Sequence, residues 1–260
     1  MKNNISNPYV SIITPNLNGE RFLEKTIQSV INQTSKNYEY ILIDGKSTDR
    51  SGEIINKYID KIDKYITEKD ESMYHAINKG IQIAKGEVII WINSDDILDK
   101  NAVLNVSNFF KKNSTVQWIS GINGYIKKNF RFPGIPYIYP RFILKRGYSH
   151  HALWGFVQQE SVSFRKSLYK KVGGFDYKYN NSCDYGLWVS FSKITFLQTV
   201  FFKIGFFRSW DGQDSKINRL LTYKSIGYKN IPFYSLRYIR NFISFILLPY
   251  IIIKTYILTK

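Results

Sequence analysis

Trp91-Ile92-Asn93-Ser94-Asp95-Asp96 is a run of strand-forming residues that ends in two adjacent carboxylates. An earlier apolar run, Tyr40-Ile41-Leu42-Ile43, also ends in an acid, within Asp44-Gly45-Lys46-Ser47-Thr48-Asp49. Acids at the carboxyl ends of parallel strands sit where open α/β sheets bind their ligands. Side-by-side aspartates repel each other unless a cation or a hydrogen-bonded ligand offsets the repulsion. A divalent ion with oxygen ligands, shared with a diphosphate, suits such a pair. The plainer reading is a turn whose acid caps a helix starting at Asp99 or Lys100.

The chain on either side alternates two patterns. Tyr9 to Thr14 predicts a β-branched strand, stopped by Pro15 and the turn-forming Asn16 and Asn18. From Glu20 to Gln33, Phe22, Leu23, Thr26, Ile27, Val30 and Ile31 recur at helical spacing. Tyr38 to Ile43 is a second strand, Asp49 or Ser51 caps a helix to about Tyr58, and Lys64 to Thr67 is a third strand. Ser72 to Ala84 predicts a helix ended by Gly86, and Glu87 to Ile92 a fourth strand. This alternation predicts an α/β fold, a mostly parallel central sheet flanked by helices on both faces. Beyond Lys112, Val116 to Phe132 reads as a strand or hairpin and Arg141 to Gly147 as a short helix. Gln159 to Arg165 reads as a strand and Asp184 to Lys193 as a helix.

With 260 residues and 44% hydrophobic content, the chain can bury one sizeable core. A formal net charge of +17 points to anionic partners. A general bias toward Lys, Ile, Asn and Tyr accounts for part of it, and the absence of any block of five or six like charges argues against a nucleic-acid arm. Cys183 is the single cysteine, so neither an intramolecular disulfide nor a multi-cysteine zinc site is expected. Met1 to Pro8 is polar and lacks the apolar run of a signal peptide, which suits a cytoplasmic protein.

At the other end, residues 242–258 read FISFILLPYIIIKTYIL, flanked by Arg237, Arg240 and Lys260. Lys254 and Pro249 interrupt a run of barely spanning length. A helix lying in the membrane interface is expected ahead of one docked on the core, and a true span last.

Six stretches carry a family resemblance: SIITPNLN at 11–18, DGKSTDRS at 44–51, EKDESMYHAINKGIQIAKGEVIIWINSDD at 68–96, QQESVSFRKSLYKKVGGFD at 158–176, CDYGLW at 183–188 and GFFRSWDGQDS at 205–215. In this order they resemble the family 2 glycosyltransferases, inverting enzymes of the GT-A fold, over about residues 9–215. More narrowly they look like bacterial enzymes that build capsule, O-antigen or exopolysaccharide units. The resemblance implies a GT-A domain over 1–225, with a nucleotide-binding half at 1–112 and an acceptor half at 113–225. Residues 226–260 are then a basic, apolar helical tail that associates with membrane or docks.

It also implies roles. Asp44 would accept a hydrogen bond from a uracil ring nitrogen, with Thr14, Asn16 and Asn18 along the other side of the base. Asp70, Asn78 and Lys79 would meet the nucleotide, sugar or diphosphate. Asp95 would face the ribose or donor sugar, and Asp96 would bind Mn²⁺ or Mg²⁺, which stabilises the departing diphosphate. Asp184 is the expected base that takes the acceptor's proton. Gln159, Glu160 and Arg165, with Arg208, Gln213 and Ser215, would hold acceptor or diphosphate or form a buried polar network. His75 and Cys183 depart from the family's usual Asp and Glu. Trp154 and Trp188 are expected in the core rather than under sugar rings.

The implied partners are a nucleotide-sugar, UDP before GDP or dTDP, and a glycan acceptor on a polyprenyl diphosphate. The membrane surface is reached through the tail, at the cytoplasmic face of the inner membrane, and nucleic acid is not expected. Competing readings are an inactive relative and a basic module that binds polyanions. The second gives no reason for Asp44, Asp95, Asp96 and Asp184, which would repel a polyanion.

Overall fold

The computed structural model describes residues 7–128, 130–132, 134–149, 154–211, 213 and 235–259. Ser215 and Lys260 lie outside them. The first half builds β1 (Val10–Asn16), α1 (Leu23–Ile31), β2 (Tyr38–Asp44), α2 (Ser51–Lys57), β3 (Lys64–Thr67), α3 (Met73–Ile83), β4 (Val88–Trp91), β5 (Ile97–Leu98) and α4 (Ala102–Lys112). The second half adds β6 (Trp118–Ser120), β7 (Gly124–Lys127), β8 (Phe130–Phe132), α5 (Arg141–Lys145), β9 (Val162–Arg165), α6 (Lys166–Lys171), α7 (Cys183–Ile194), β10 (Gln198–Thr199) and β11 (Gly205–Ser209). Two helices, α8 (Ser235–Ile246) and α9 (Leu248–Thr259), complete it.

The main sheet has the order β10-β6-β9-β4-β1-β2-β3, so strands from both halves share it. It is parallel except at β9, which runs antiparallel to both β4 and β6. Period-two alternation sorts each central strand between two apolar layers. Ile13, Ile41, Ile43, Ile89 and Trp91 face a core shared with α3 and α7. Val10, Ile12, Tyr40, Leu42, Val88 and Ile90 face the core under α1 and α4. Each such aliphatic side chain, fully buried, contributes roughly 1.5–3 kcal/mol. A Cβ on Gly80 would lie 2.6 Å from Ile13 Cγ2, so glycine lets α3 lie against β1.

Several expectations are refined. Only Val162–Arg165 of the stretch 159–165 is strand, because Gln159–Ser161 forms a 3-10 turn. The helix after the paired acids starts at Ala102 rather than at Asp99 or Lys100, and Asp99 Oδ1 accepts from Asn101 N. A second sheet, β5-β11-β7-β8, was not legible in the pattern; it lays β11 across the end of β4. Trp188 stacks between Trp91 and Trp118 at centroid separations of 5.9 and 5.6 Å, and Trp154 is equally buried, so both are core residues as expected.

The tail is two helices rather than one. The segments Tyr238–Ile246 and Leu248–Leu258 meet at 55°. Pro249 sits in the first turn of α9, where its missing N–H is harmless but its ring prevents a continuous helix. Among the described residues no single helix is long and apolar enough to cross a membrane; the bent pair passes by length and composition.

Candidate active site

Parallel pairing of β1 with β2 sets Asn16 opposite Asp44 at the carboxyl edge of the sheet. Asn16 Nδ2 donates to Asp44 Oδ1 at 2.7 Å. Ser47 Oγ and Ser47 N donate to the same carboxylate at 2.6 and 2.9 Å, and Thr67 Oγ1 reaches it at 3.4 Å. Asp44 is therefore buried and its acceptor sites are filled by the protein's own donors. Asn16 Oδ1, by contrast, is buried without a donor. A Cβ at Gly19 would fall 2.1 Å from it, so only glycine fits there.

Two of the residues expected beside the base engage the protein itself. Thr14 is fully enclosed, its hydroxyl accepting from Tyr40 at 3.2 Å, because strand parity puts it with Val10 and Ile12 on the α1–α4 side. Asn18 takes the left-handed conformation (φ 51°) and clasps the facing loop, with its N donating to Ser47 Oγ and its Oδ1 accepting from Thr48 N. Asn16 alone of these three keeps a free acceptor.

At the end of β4, Asn93, Ser94 and Asp95 are half-buried while Asp96 is enclosed. Asp95 Oδ2 accepts from Trp210 Nε1 at 2.8 Å and from Gln213 Nε2 at 3.3 Å. Arg208 ties the second sheet to both acids: its main-chain N donates to Asp96 Oδ1 and its Nε to the Asp95 carbonyl, both at 2.7 Å. The Glu160 carboxyl, on the turn before β9, lies within hydrogen-bonding reach of Asp96. Burial raises the affinity of Asp96 for a proton well above the usual carboxylate range, and the charges of Glu160 and Asp95 add to it. Glu160 is raised mainly by burial. Gln159 joins this edge by donating to the Trp91 carbonyl at 2.7 Å. Trp210 was missed in the sequence, where nothing distinguished it from a core tryptophan.

Arg165 leaves the site. Because β9 is antiparallel to β4, Gln159 lies at the carboxyl end of β4 and Arg165 pairs with Val88 at its amino end. There Arg165 holds the Phe110, Asn113 and Val116 carbonyls and Glu87.

On α3, Lys79 Nζ is paired with Glu68 at 2.6 Å and with Asp70 at 2.7 Å. Asn78 Oδ1 accepts from Tyr169 Oη at 2.9 Å. These three residues thus brace α3 on neighbouring elements. His75 stacks on Tyr177, with ring centroids 4.0 Å apart, on the rim of the same edge.

Asp184 stands half-buried in the first turn of α7, one turn before Trp188. Tyr74, at the start of α3, donates to Asp184 Oδ1 at 3.0 Å. Since α3 begins at the carboxyl edge of the sheet and Trp188 stacks on Trp91, Asp184 shares the edge that carries Asp95 and Asp96. Burial raises its proton affinity above the ordinary aspartate value, against which the Tyr74 bond acts.

Among the described residues no group of three or more His, Cys, Asp and Glu side chains forms a cage for a metal. The orphaned atoms nonetheless suit a hard cation. Asp96 Oδ2, Asn93 Oδ1 and Gln213 Oε1 are buried oxygens with no donor, and a substrate diphosphate would supply the remaining oxygens.

The model of glycosyl transferase family 2 matches residues 11–173, more than half of the chain. The chain belongs to glycosyl transferase family 2. Other members share its sequence: an uncharacterized glycosyltransferase of Rickettsia typhi is 30% identical over 201 residues, covering 75% of this chain and 62% of that protein. The poly(ribitol-phosphate) beta-glucosyltransferase of Bacillus spizizenii is 36% identical over 124 residues, 44% of this chain. This chain thus spans 62% and 20% of the lengths of those two relatives. A PGL/p-HBAD biosynthesis glycosyltransferase of Mycobacterium bovis is 26% identical over 182 residues, 68% of this chain and 67% of that one. In fold, the chain is similar to S. aureus TarS 1-349 in complex with UDP (TM-score 0.61, 15% identity, 84% of this chain and 64% of that one). The mannosyltransferase PcManGT of Pyrobaculum calidifontis, solved with GDP-Man and Mn²⁺, gives a TM-score of 0.56 at 18% identity over 97% of this chain and 74% of that one.

Proposed function

We propose that the chain transfers a sugar, with inversion, from a nucleoside-diphosphate sugar to a hydroxyl of a surface-glycan acceptor carried on a lipid diphosphate. The observation that carries this reading is the shared edge: orphaned oxygens around Asp95 and Asp96 at the end of β4, and the Asp184 carboxylate, held by Tyr74, on the same edge of the sheet. Relatives named for poly(ribitol-phosphate) glucosylation and for PGL/p-HBAD biosynthesis support a glycan acceptor, and the TarS complex with UDP supports UDP as the donor's nucleotide.

Asn16 Oδ1 offers an acceptor to the base, and a ring N–H reaches Asp44 by replacing its long Thr67 contact. Asp95 faces the ribose or donor sugar. Asp96 holds the divalent ion through Oδ2, the oxygen that Arg208 leaves free. When bound, that ion neutralises the charge growing on the diphosphate. The Arg208 cation, fixed beside both acids, adds to the same effect. Asp184 accepts the acceptor hydroxyl's proton as that oxygen bonds to the anomeric carbon and the bond to the diphosphate breaks. Tyr74 fixes which carboxylate oxygen stays free to take it.

The tail divides its two faces between the two roles expected of it. Arg240 donates to the Trp154 carbonyl at 2.8 Å, Thr255 Oγ1 accepts from Phe201 N at 2.8 Å, and Ile251 is buried, so one side docks. Tyr238, Phe242, Phe245, Ile253 and Ile257 stand more than half exposed on the other. That outer side suits the acyl–headgroup boundary and the chain's positive charge suits anionic lipid, which supports a location on the cytoplasmic face of the inner membrane.

Calorimetric titration with UDP, GDP and dTDP, with and without Mn²⁺, tests the donor site. Metal-dependent binding of one nucleotide supports it, and a folded chain that binds none overturns it.

A further inference from the structure

We propose that Glu160 is a second protein ligand of the divalent cation, closing on it opposite Asp96. The inference rests on the metal-dependent transferase reading above and names a ligand beyond the paired aspartates.

Asp96 Oδ1 accepts from the Arg208 amide, which leaves Oδ2 as its unengaged oxygen. Among the described residues that atom has no donor, and neither does Glu160 Oε2. The two carboxyl groups are in reach of each other, with residue exposures of 0% and 5%. Two neighbouring buried carboxylates repel each other unless a cation or a retained proton offsets the charge. A hard cation with oxygen ligands is the occupant that uses both free oxygens at once.

Gln213 provides an independent sign. It is 7% exposed and donates to Asp95 Oδ2, while its carbonyl oxygen, on the same buried amide, has no donor among the described residues.

The position of Glu160 is built rather than incidental. Gln159 anchors its turn to the Trp91 carbonyl. β11 presses on it from the other side, where a Cβ on Gly205 would lie 2.6 Å from the Glu160 carbonyl oxygen and 3.1 Å from its Cβ. Glu160 is thus held between the end of β4 and the strand that fixes Asp96.

The test is a Mn²⁺ titration of the full chain, followed by the loss of the free-ion paramagnetic resonance signal, with and without UDP. Wild type is compared with Glu160→Gln, Glu160→Asp and Asp96→Asn. Glu160→Gln is expected to weaken Mn²⁺ binding by at least about tenfold while metal-free UDP binding stays as in wild type. Glu160→Asp keeps the charge one methylene short and should fall between; if the Gln variant does not fold, this one decides. Unchanged Mn²⁺ affinity in Glu160→Gln, with loss only in Asp96→Asn, overturns the proposal and leaves a proton as what the two acids share. A wild type that binds no Mn²⁺ also overturns it, and UDP binding by that same protein would show that the donor site itself survives.

Discussion

Tyr74 Oη donates to Asp184 Oδ1 at 3.0 Å, joining the first turn of α3 to the first turn of α7 across the edge of the sheet. The bond does two things. It fixes the orientation of the proposed base, and it stabilises the ionised form that burial disfavours.

Replacing Asp184 by Asn should cut transfer by about 10²–10⁴-fold while leaving UDP binding intact, since a positioned base contributes about that much. Transfer to a soluble acceptor and calorimetry with UDP, run side by side, check the split.

Tyr74→Phe should move the acidic limb of the rate profile to higher pH. Asp184 already holds its proton more tightly than an ordinary aspartate because it is buried, and the variant removes the hydrogen bond that opposes this. The stability effect has a definite sign. A carboxyl raised in the folded state stabilises the fold below the ordinary aspartate range and loses that contribution as pH rises through its folded value. Melting temperature in wild type should therefore fall over that window, and Asp184→Asn should flatten the fall.

Asp96→Asn should abolish metal-dependent nucleotide binding yet raise stability by about 1–3 kcal/mol in metal-free buffer. The new amide can donate to Glu160 Oε2, an atom with no donor among the described residues. Denaturant unfolding alongside UDP–Mn²⁺ calorimetry reads both changes. A stability loss with binding retained would contradict the assignment.

Arg165→Met should cost about 3–5 kcal/mol without altering donor affinity in the fraction that folds. The guanidinium holds the Phe110 and Asn113 carbonyls at the end of α4 at 2.8 and 3.1 Å, and its loss leaves them and Glu87 without their cation. Urea unfolding measures it.

Phe242→Asp with Phe245→Asp should abolish sedimentation with anionic vesicles and spare transfer to a short soluble acceptor. Both side chains are exposed on α8, at 66% and 73%. Retained sedimentation would move the lipid contact elsewhere.

The α/β alternation and the acids at the ends of β2 and β4 were legible because each depends on local pattern, whereas Asp184 was singled out by the family resemblance. Strand parity also held the answer for Thr14, since it shares a face with Val10 and Ile12. Other features depend on partners far away in sequence. The polarity of β9, which separates Gln159 from Arg165, is set by pairing with β4 and β6. The saturation of Asp44 is set by loop residues that could equally have turned to solvent. Trp210 carries no periodic signal and gains its role only when β11 crosses the end of β4.

Asp96 is held by the peptide N–H at position 208, not by the arginine side chain. Any residue except proline supplies that donor, so a scan that swaps side chains at position 208 reads the part of the guanidinium and leaves the hold on Asp96 unread. What guards the acid is the course of the backbone, and a change several residues away that slides β11 by one step would disarm the centre with every named residue still in place.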